Sequence, residues 1–294
     1  MVELAVLTAA PELPLYRELV QAGESLSVPV HVWDSTRMAA SLPGEVLLDG
    51  VPVATHRVAC FLPRVGNFRP ESTLALVAAL ERQGCLPFNP PGAIRIARDH
   101  WLTVERLHRA GIPHPPTVVG SDPQVLARCG QTMGFPVVVK ARRSRQGVGV
   151  ICCHSLAELE AVLDTLWRLG EEVVLQRFCP PGGESFRALV LEGDVVGFTR
   201  HEAAPGEFRT NAARGGVVTP WEGSPQLHQL ARAAAAACGL RLCGVDLWPD
   251  GDRLVVGEVN PTPGWKHFAA ATGIPVAQLV VEAMVRRAAL GADP

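Results

Sequence analysis

Apolar residues in this chain come in short runs broken by turn formers, and the spacing inside the runs changes along its length. Residues 2–8 and 28–33 (VPVHVW) predict strands, and 13–22 carries its apolar positions at helical spacing. Residues 45–53 read as a hairpin around Asp49-Gly50, a pair suited to a tight turn. A further strand is predicted at 57–62 and an amphipathic helix at 70–83, ended near Gly84. Strands alternating with helices predict a small parallel α/β unit over residues 1–92, with Asn89-Pro90-Pro91-Gly92 as its exit.

The pattern then changes. One helix is predicted from 93 to 110, with Gly111 as its cap and Pro113 beyond. A short extended piece at 117–119 precedes a helix predicted from Pro123 to about residue 129. The run PVVVK at 136–140 reads as a strand, returns through a loop at 141–147, and leaves as a second strand at 148–153. Ser155 caps a helix over 155–169. These pieces make an α+β subdomain over 93–175. From 172 the chain is richer in strands, predicted at 172–178, 186–191 and 195–201, and a third subdomain is expected over 176–294. An alanine-rich helix follows at 225–238, capped by Gly239. A hairpin pairs 243–248 with 254–259, and an apolar helix at 274–290 closes the chain.

That last hairpin holds three side chains that a buried sheet tolerates poorly: Asp246, Glu258 and Asn260. Glu258 and Asn260 are two apart and share a face. The turn brings Asp246 opposite them, so three oxygen donors converge with two charges, a set that suits Mg²⁺ with room for water and phosphate. Lys140 ends a buried strand and opens a loop with two glycines spaced by one. The glycines, Gly147 and Gly149, let backbone N–H groups approach a phosphate with Gln146 beside them, while Lys140 supplies the charge. A second basic loop carries Arg209, Asn211 and Arg214 before a glycine pair, and two arginines so placed suit a phosphoryl group or a carboxylate. Trp265 and Lys266 fit either a substrate carboxylate or a covered turn. Arg64 and Asn67 end a strand and fit either a cleft wall or the surface.

Composition narrows the field. A formal net charge of −2 gives no global basic field for nucleic acid. The 48% apolar content supports a substantial core. No uncharged apolar run reaches the length of a membrane span, and the first residues lack a basic leader, so a soluble cytoplasmic protein is expected. The eight cysteines form no CxxC pair and sit mostly in apolar stretches, which favours reduced thiols.

The motifs FPVVVK…QGVGV, FRTNAARGG, CGVDLW and EVNPTPGWK, in this order, resemble those of the ATP-grasp superfamily, and within it the RimK-type α-L-glutamate ligases. The likeness extends back to PRVGN…IARD and covers most of the chain. It implies an ATP-grasp fold with a small parallel α/β domain at the N-terminus, then a central lid and a C-terminal part that carries the metal. The implied reaction activates a carboxylate as an acyl phosphate with ATP and Mg²⁺, or Mn²⁺ in its place. An amine then attacks, so that an amino acid such as glutamate is joined to a peptide, protein or small-molecule acceptor. Carried over, Lys140 contacts the phosphates and Gln176, Arg177, Phe178 and Cys179 form the adenine hinge. Arg209 and Asn211 sit near the γ-phosphate, and Asp246, Glu258 and Asn260 hold the metal.

Three positions depart from the family pattern. His100 stands where a lysine is usual and remains a candidate phosphate donor. Arg177 replaces an acidic hinge residue. Ser185 replaces the usual ribose-binding aspartate, with Glu184 beside it as a substitute. Family members are often dimers or tetramers. Two other outcomes fit the same motifs: an ATP-grasp kinase, and a degenerate nucleotide-binding scaffold.

Overall fold

The computed structural model describes residues 2–143, 149–204, 210 and 216–291. The N-terminal unit runs β1 (Glu3–Thr8), α1 (Pro14–Ser25), β2 (Val30–Asp34), β3 (Met38–Ala40), β4 (Val46–Leu48), β5 (Val51–Pro52), β6 (Val58–Arg64), α2 (Pro70–Arg82) and β7 (Leu86–Pro87). Strands β2-β1-β6-β7 form a parallel sheet in that order, and β3-β4-β5 a small antiparallel one. β1 is buried along its whole length, as a central parallel strand covered on both faces must be.

The single helix expected over 93–110 is two, α3 (Pro91–Ala97) and α4 (His100–Arg109). The break has a local cause. The Asp99 carboxylate accepts the N–H groups of Trp101 and Leu102 at 3.0 and 3.1 Å, which is an N-cap, and a cap starts a new helix. Ala93, Ala97, Leu107 and Ile112 share a core with the C-terminal sheet.

The central sheet is antiparallel. It comprises β8 (Thr117–Val119), then, after α5 (Pro123–Met133), β9 (Val137–Ala141) and β10 (Val150–Cys153), and, after α6 (Leu156–Arg168), β11 (Val173–Arg177), in the order β10-β9-β11-β8. Leu126 of α5 and Leu159 and Leu163 of α6 close its core. α5 runs four residues past its expected end at 129, and its side chains Leu126 and Met133 pack on that core.

The C-terminal sheet takes the order β14-β13-β12-β15-β16. Its strands are β12 (Glu184–Leu191), β13 (Asp194–Glu202), β14 (Val217–Trp221), β15 (Leu242–Asp250) and β16 (Arg253–Asn260), with α7 (Pro225–Cys238) between β14 and β15. α8 (Lys266–Thr272) and α9 (Val276–Gly291) follow. The alanines of α7 let it lie close on Ala188, Val190 and Val245, and Gly239 ends it in the left-handed region at φ 71°. β14 and α8 were not expected from the pattern. β14 contains Pro220, which an edge strand tolerates, and α8 is seven residues long, too short for a periodic signal.

Two features fasten the N-terminal unit to this sheet. α9 packs Val280 and Met284 into a core that also holds Leu4, Val6 and Leu62. The fully buried Asn89 then makes four bonds. Its amide nitrogen donates to Leu242 O at 2.7 Å and Pro261 O at 3.2 Å, and its oxygen accepts from Arg241 N at 2.9 Å and Leu242 N at 3.1 Å. Asn89→Ala orphans four backbone groups, so it should lower stability by about 3 kcal/mol or more in denaturant unfolding, against under about 0.5 kcal/mol for an exposed control.

Candidate active site

The three sheets wall a cleft of about 610 Å³. Its floor is one face of the C-terminal sheet, and strand alternation decides which side chains reach it. Arg187 of β12 lies opposite Thr199 of β13 on one side and Asp246 of β15 on the other. Asp246 in turn lies opposite Glu258 of β16, and Asn260 lies opposite Gly244. Phe186, Ala188 and Val190 point the other way, into the core under α7. Arg187, Thr199, His201, Asp246, Glu258 and Asn260 all line the cleft.

Asp246, 9% exposed, is gripped by Arg187 at both oxygens, at 2.6 and 2.7 Å. Burial alone would weaken the guanidinium charge, but Asp246, with Glu258 behind it, outweighs that and holds Arg187 firmly protonated. Arg187 is not among the site residues that the sequence motifs single out. The signal that could have found it is a short alternation of polar positions, Ser185 and Arg187 in β12 and Thr199 and His201 in β13, on one face of the sheet. His201 bonds Thr199 at 3.0 Å, and burial, seconded by Arg187, pushes its pKa down to about 4, so the ring is neutral at pH 7.

The facing wall carries Lys140, at the end of β9. Its ammonium donates to Gln176 Oε1 at 2.5 Å, and Gln176 donates to Thr117 Oγ1 at 2.9 Å. The same ammonium sits 4.4 Å from the centroid of the Trp248 ring. That ring lies against Gly257, where any Cβ would fall within 2.4 Å of it. Burial lowers the Lys140 pKa to about 8, against the opposing pull of Glu258.

The remaining expected site residues divide. His100 opens α4, lines the cleft, and donates its backbone N–H to Arg142 O at 2.9 Å. Gln176, Arg177, Phe178 and Cys179 line the cleft where the central sheet meets the C-terminal one. The Arg177 side chain leaves that hinge to pair with Asp250 at 2.6 Å, and this contact pulls the Asp250 pKa down. The backbone N–H groups of Arg177 and Phe178 already bond Pro116 O and Pro136 O. Glu184 lines the cleft but is paired with Arg200. Ser185 is buried, bonded to Thr210 at 2.5 Å, and is not among the residues lining the cleft. Gln146, Gly147, Arg209, Asn211 and Arg214 lie outside the described residues.

Residues 97–284 match the RimK-like ATP-grasp domain. A probable alpha-L-glutamate ligase of Marinomonas sp. (strain MWYL1) is 30% identical over 294 residues, covering 98% of this chain and 97% of that protein. The chain belongs to the RimK-like ATP-grasp family. Among solved structures, the RimK domain ATP-grasp protein of Sphaerobacter thermophilus superposes with a TM-score of 0.77 at 22% identity, covering 97% of this chain and 100% of that one. The ATP-grasp ligase PsnB, complexed with a minimal precursor, Mg and ADP, gives 0.71 at 20% identity, with 97% and 98% covered.

An ATP-grasp site handles a phosphate chain with a divalent cation, and the donors present fit one. Among the described residues no three His, Cys, Asp or Glu side chains gather as a metal cage. Two carboxylates and one amide do line the same cleft, which is the open kind of set that Mg²⁺ completes with phosphate oxygens and water. Each Asp246 oxygen gives one lone pair to Arg187 and keeps another. Asn260 Oδ1 accepts from Thr262 N at 2.9 Å, which fixes the amide's orientation.

The Lys140 pKa gives a pH test. Its ammonium is charged below about 8 and discharged above it in the empty site. The ATP Kd should therefore rise as pH passes through that value, while Lys140→Arg, charged throughout, should lose the inflection; ATP titrations between pH 6.5 and 9.5 measure both.

Proposed function

We propose that this ATP-dependent carboxylate–amine ligase works through an acyl phosphate and takes L-glutamate as the amine. It carries the glutamate to a peptide, protein or small-molecule carboxylate. The observation that carries this reading is the pairing of walls: Lys140 and Arg187 face the same cleft as Asp246, Glu258 and Asn260. A lysine on one wall facing a floor that carries an arginine and three oxygen donors is what a triphosphate with its metal requires.

In the first step a carboxylate oxygen of the acceptor attacks the γ-phosphorus of ATP, and the bond to the β-phosphate oxygen breaks, releasing ADP. In the second the amine attacks the acyl carbon, phosphate leaves, and the nitrogen gives up a proton. Asp246, Glu258 and Asn260 would hold Mg²⁺, with Mn²⁺ as a substitute ion, and the cation would supply charge neutralisation at the phosphates. Lys140 binds the phosphate chain, and its bonds to Gln176 and the Trp248 face fix its position before ATP arrives. Arg187 locks Asp246 and adds charge where the γ-phosphoryl moves. Phe178 and Cys179 border the adenine, while His100, Arg209, Asn211 and Arg214 meet the phosphoryl and acyl groups. Glu184 and Ser185, both partnered, are left out of the ribose contact.

No side-chain nucleophile is needed. The one thiol on the cleft wall, Cys179, has its pKa raised by burial and stays protonated. All eight cysteines are free, which accords with work in the reducing cytoplasm, where ATP is also found. Among the described residues no single helix is long and apolar enough to cross a membrane.

Incubation with Mg-ATP, L-glutamate and a panel of peptide carboxylates should give ADP, phosphate and an amide product in equal amounts by mass spectrometry. A phosphorylated product, or nucleotide binding without turnover, would sink the reading. Glu258→Gln should cut kcat by about 10²–10³-fold while the fold survives.

A further inference from the structure

Within the N-terminal sheet the order β2-β1-β6-β7 reverses direction between β1 and β6, since β2 lies to one side of β1 and the later strands to the other. The crevice outside the carboxyl ends of two such strands is where open parallel sheets bind ligands. Here those ends are Thr8 and Arg64, which are register partners, and both line the cleft.

Arg64 is 5% exposed. Its Nη2 donates to Pro263 O at 2.9 Å, and its guanidinium carbon lies 5.0 Å from the centroid of the Trp265 ring. Its Nε and Nη1 are buried and make no hydrogen bond. A neutral carbonyl, an aromatic face and the Tyr16 phenol oxygen, which supports the guanidinium charge, are what meet it, and no carboxylate pairs with it. Burying a cation without a counter-ion is strongly unfavourable, so a buried guanidinium with free N–H groups calls for an anion. Beside it Tyr16, also buried, accepts from Thr8 Oγ1 at 2.8 Å, which leaves the phenolic O–H to donate. Lys266 and His267 line the same cleft and add no negative charge.

We infer that the Thr8–Tyr16–Arg64 corner is a subsite for a second, non-reacting carboxylate, the one carried by the amine substrate. Arg64 supplies the countercharge and Tyr16 a hydrogen bond, so the amino acid is anchored at its carboxylate with its amine directed along the cleft toward Arg187 and Asp246. The identity of the ligand rests on the ligase reading; the presence of an anion site does not.

The test uses two probes of matched shape, glutarate and glutaramide, titrated calorimetrically into the whole protein. Wild-type protein should bind glutarate on the order of 100-fold more tightly, and Arg64→Gln should remove that preference while leaving the ATP Kd unchanged. Arg64→Lys should restore part of it, and Tyr16→Phe should lower it by a smaller factor. In turnover, Arg64→Gln should raise KM for L-glutamate far more than it lowers kcat, a split that a purely structural role would not produce. Equal binding of the two probes by wild-type protein overturns the inference whether or not Arg64→Gln folds. So does a folded Arg64→Gln that still prefers glutarate. Glutarate bound through Arg64 with no amide ever formed keeps the subsite and removes the ligase reading. Amide formation with no carboxylate preference does the reverse.

Discussion

A charge inside a sheet must be met by another charge, and in this protein the meeting takes place across adjoining strands. Arg187 and Asp246 neutralise each other through two short bonds between β12 and β15, at a depth where either alone would be strongly destabilising. The register of the whole C-terminal sheet follows from that pair. It sets Glu258 opposite Asp246, keeps Thr199 and His201 on the same face, and leaves the alternate positions free to pack under α7. Burial, with Arg187 beside it, also keeps the His201 imidazole neutral, so the floor of the cleft carries one cation and two carboxylates.

Much of this was readable in the chain because its signals are local. The hairpin of β15 and β16 has alternation, a turn and misplaced polar residues within 20 positions. ATP-grasp membership followed from spaced motifs that carry the chemistry. What escaped were interactions between distant positions. Arg187 and Asp246 are 59 residues apart, and Asn89 reaches Leu242 across 153. No window of sequence contains both ends, so Asn89 read as an exit and not as a clasp. The break in the helix at Asp99 was locally encoded, since an N-cap residue sat there. The apolar spacing on either side ran in phase and hid it.

The departures at the nucleotide end have a similar explanation. Arg177 and Glu184 stand at the positions that the resemblance assigns to the hinge and the ribose, and each has a partner, Asp250 and Arg200, that satisfies it within the protein. Sequence gives the position of a side chain along a strand but not which neighbour claims it first. Arg64 is the opposite case. In sequence it fits a cleft wall or the surface equally well, and only the packing shows a guanidinium set among neutral groups.

Trp248 lies flat because residue 257 has no side chain, and its indole is the surface that the Lys140 ammonium rests on. Indole emission responds to a charge held near the ring. The proposed phosphate end of the cleft therefore carries its own fluorophore, and on that proposal the arrival of an anion at Lys140 is written into the colour of the light that this residue gives off.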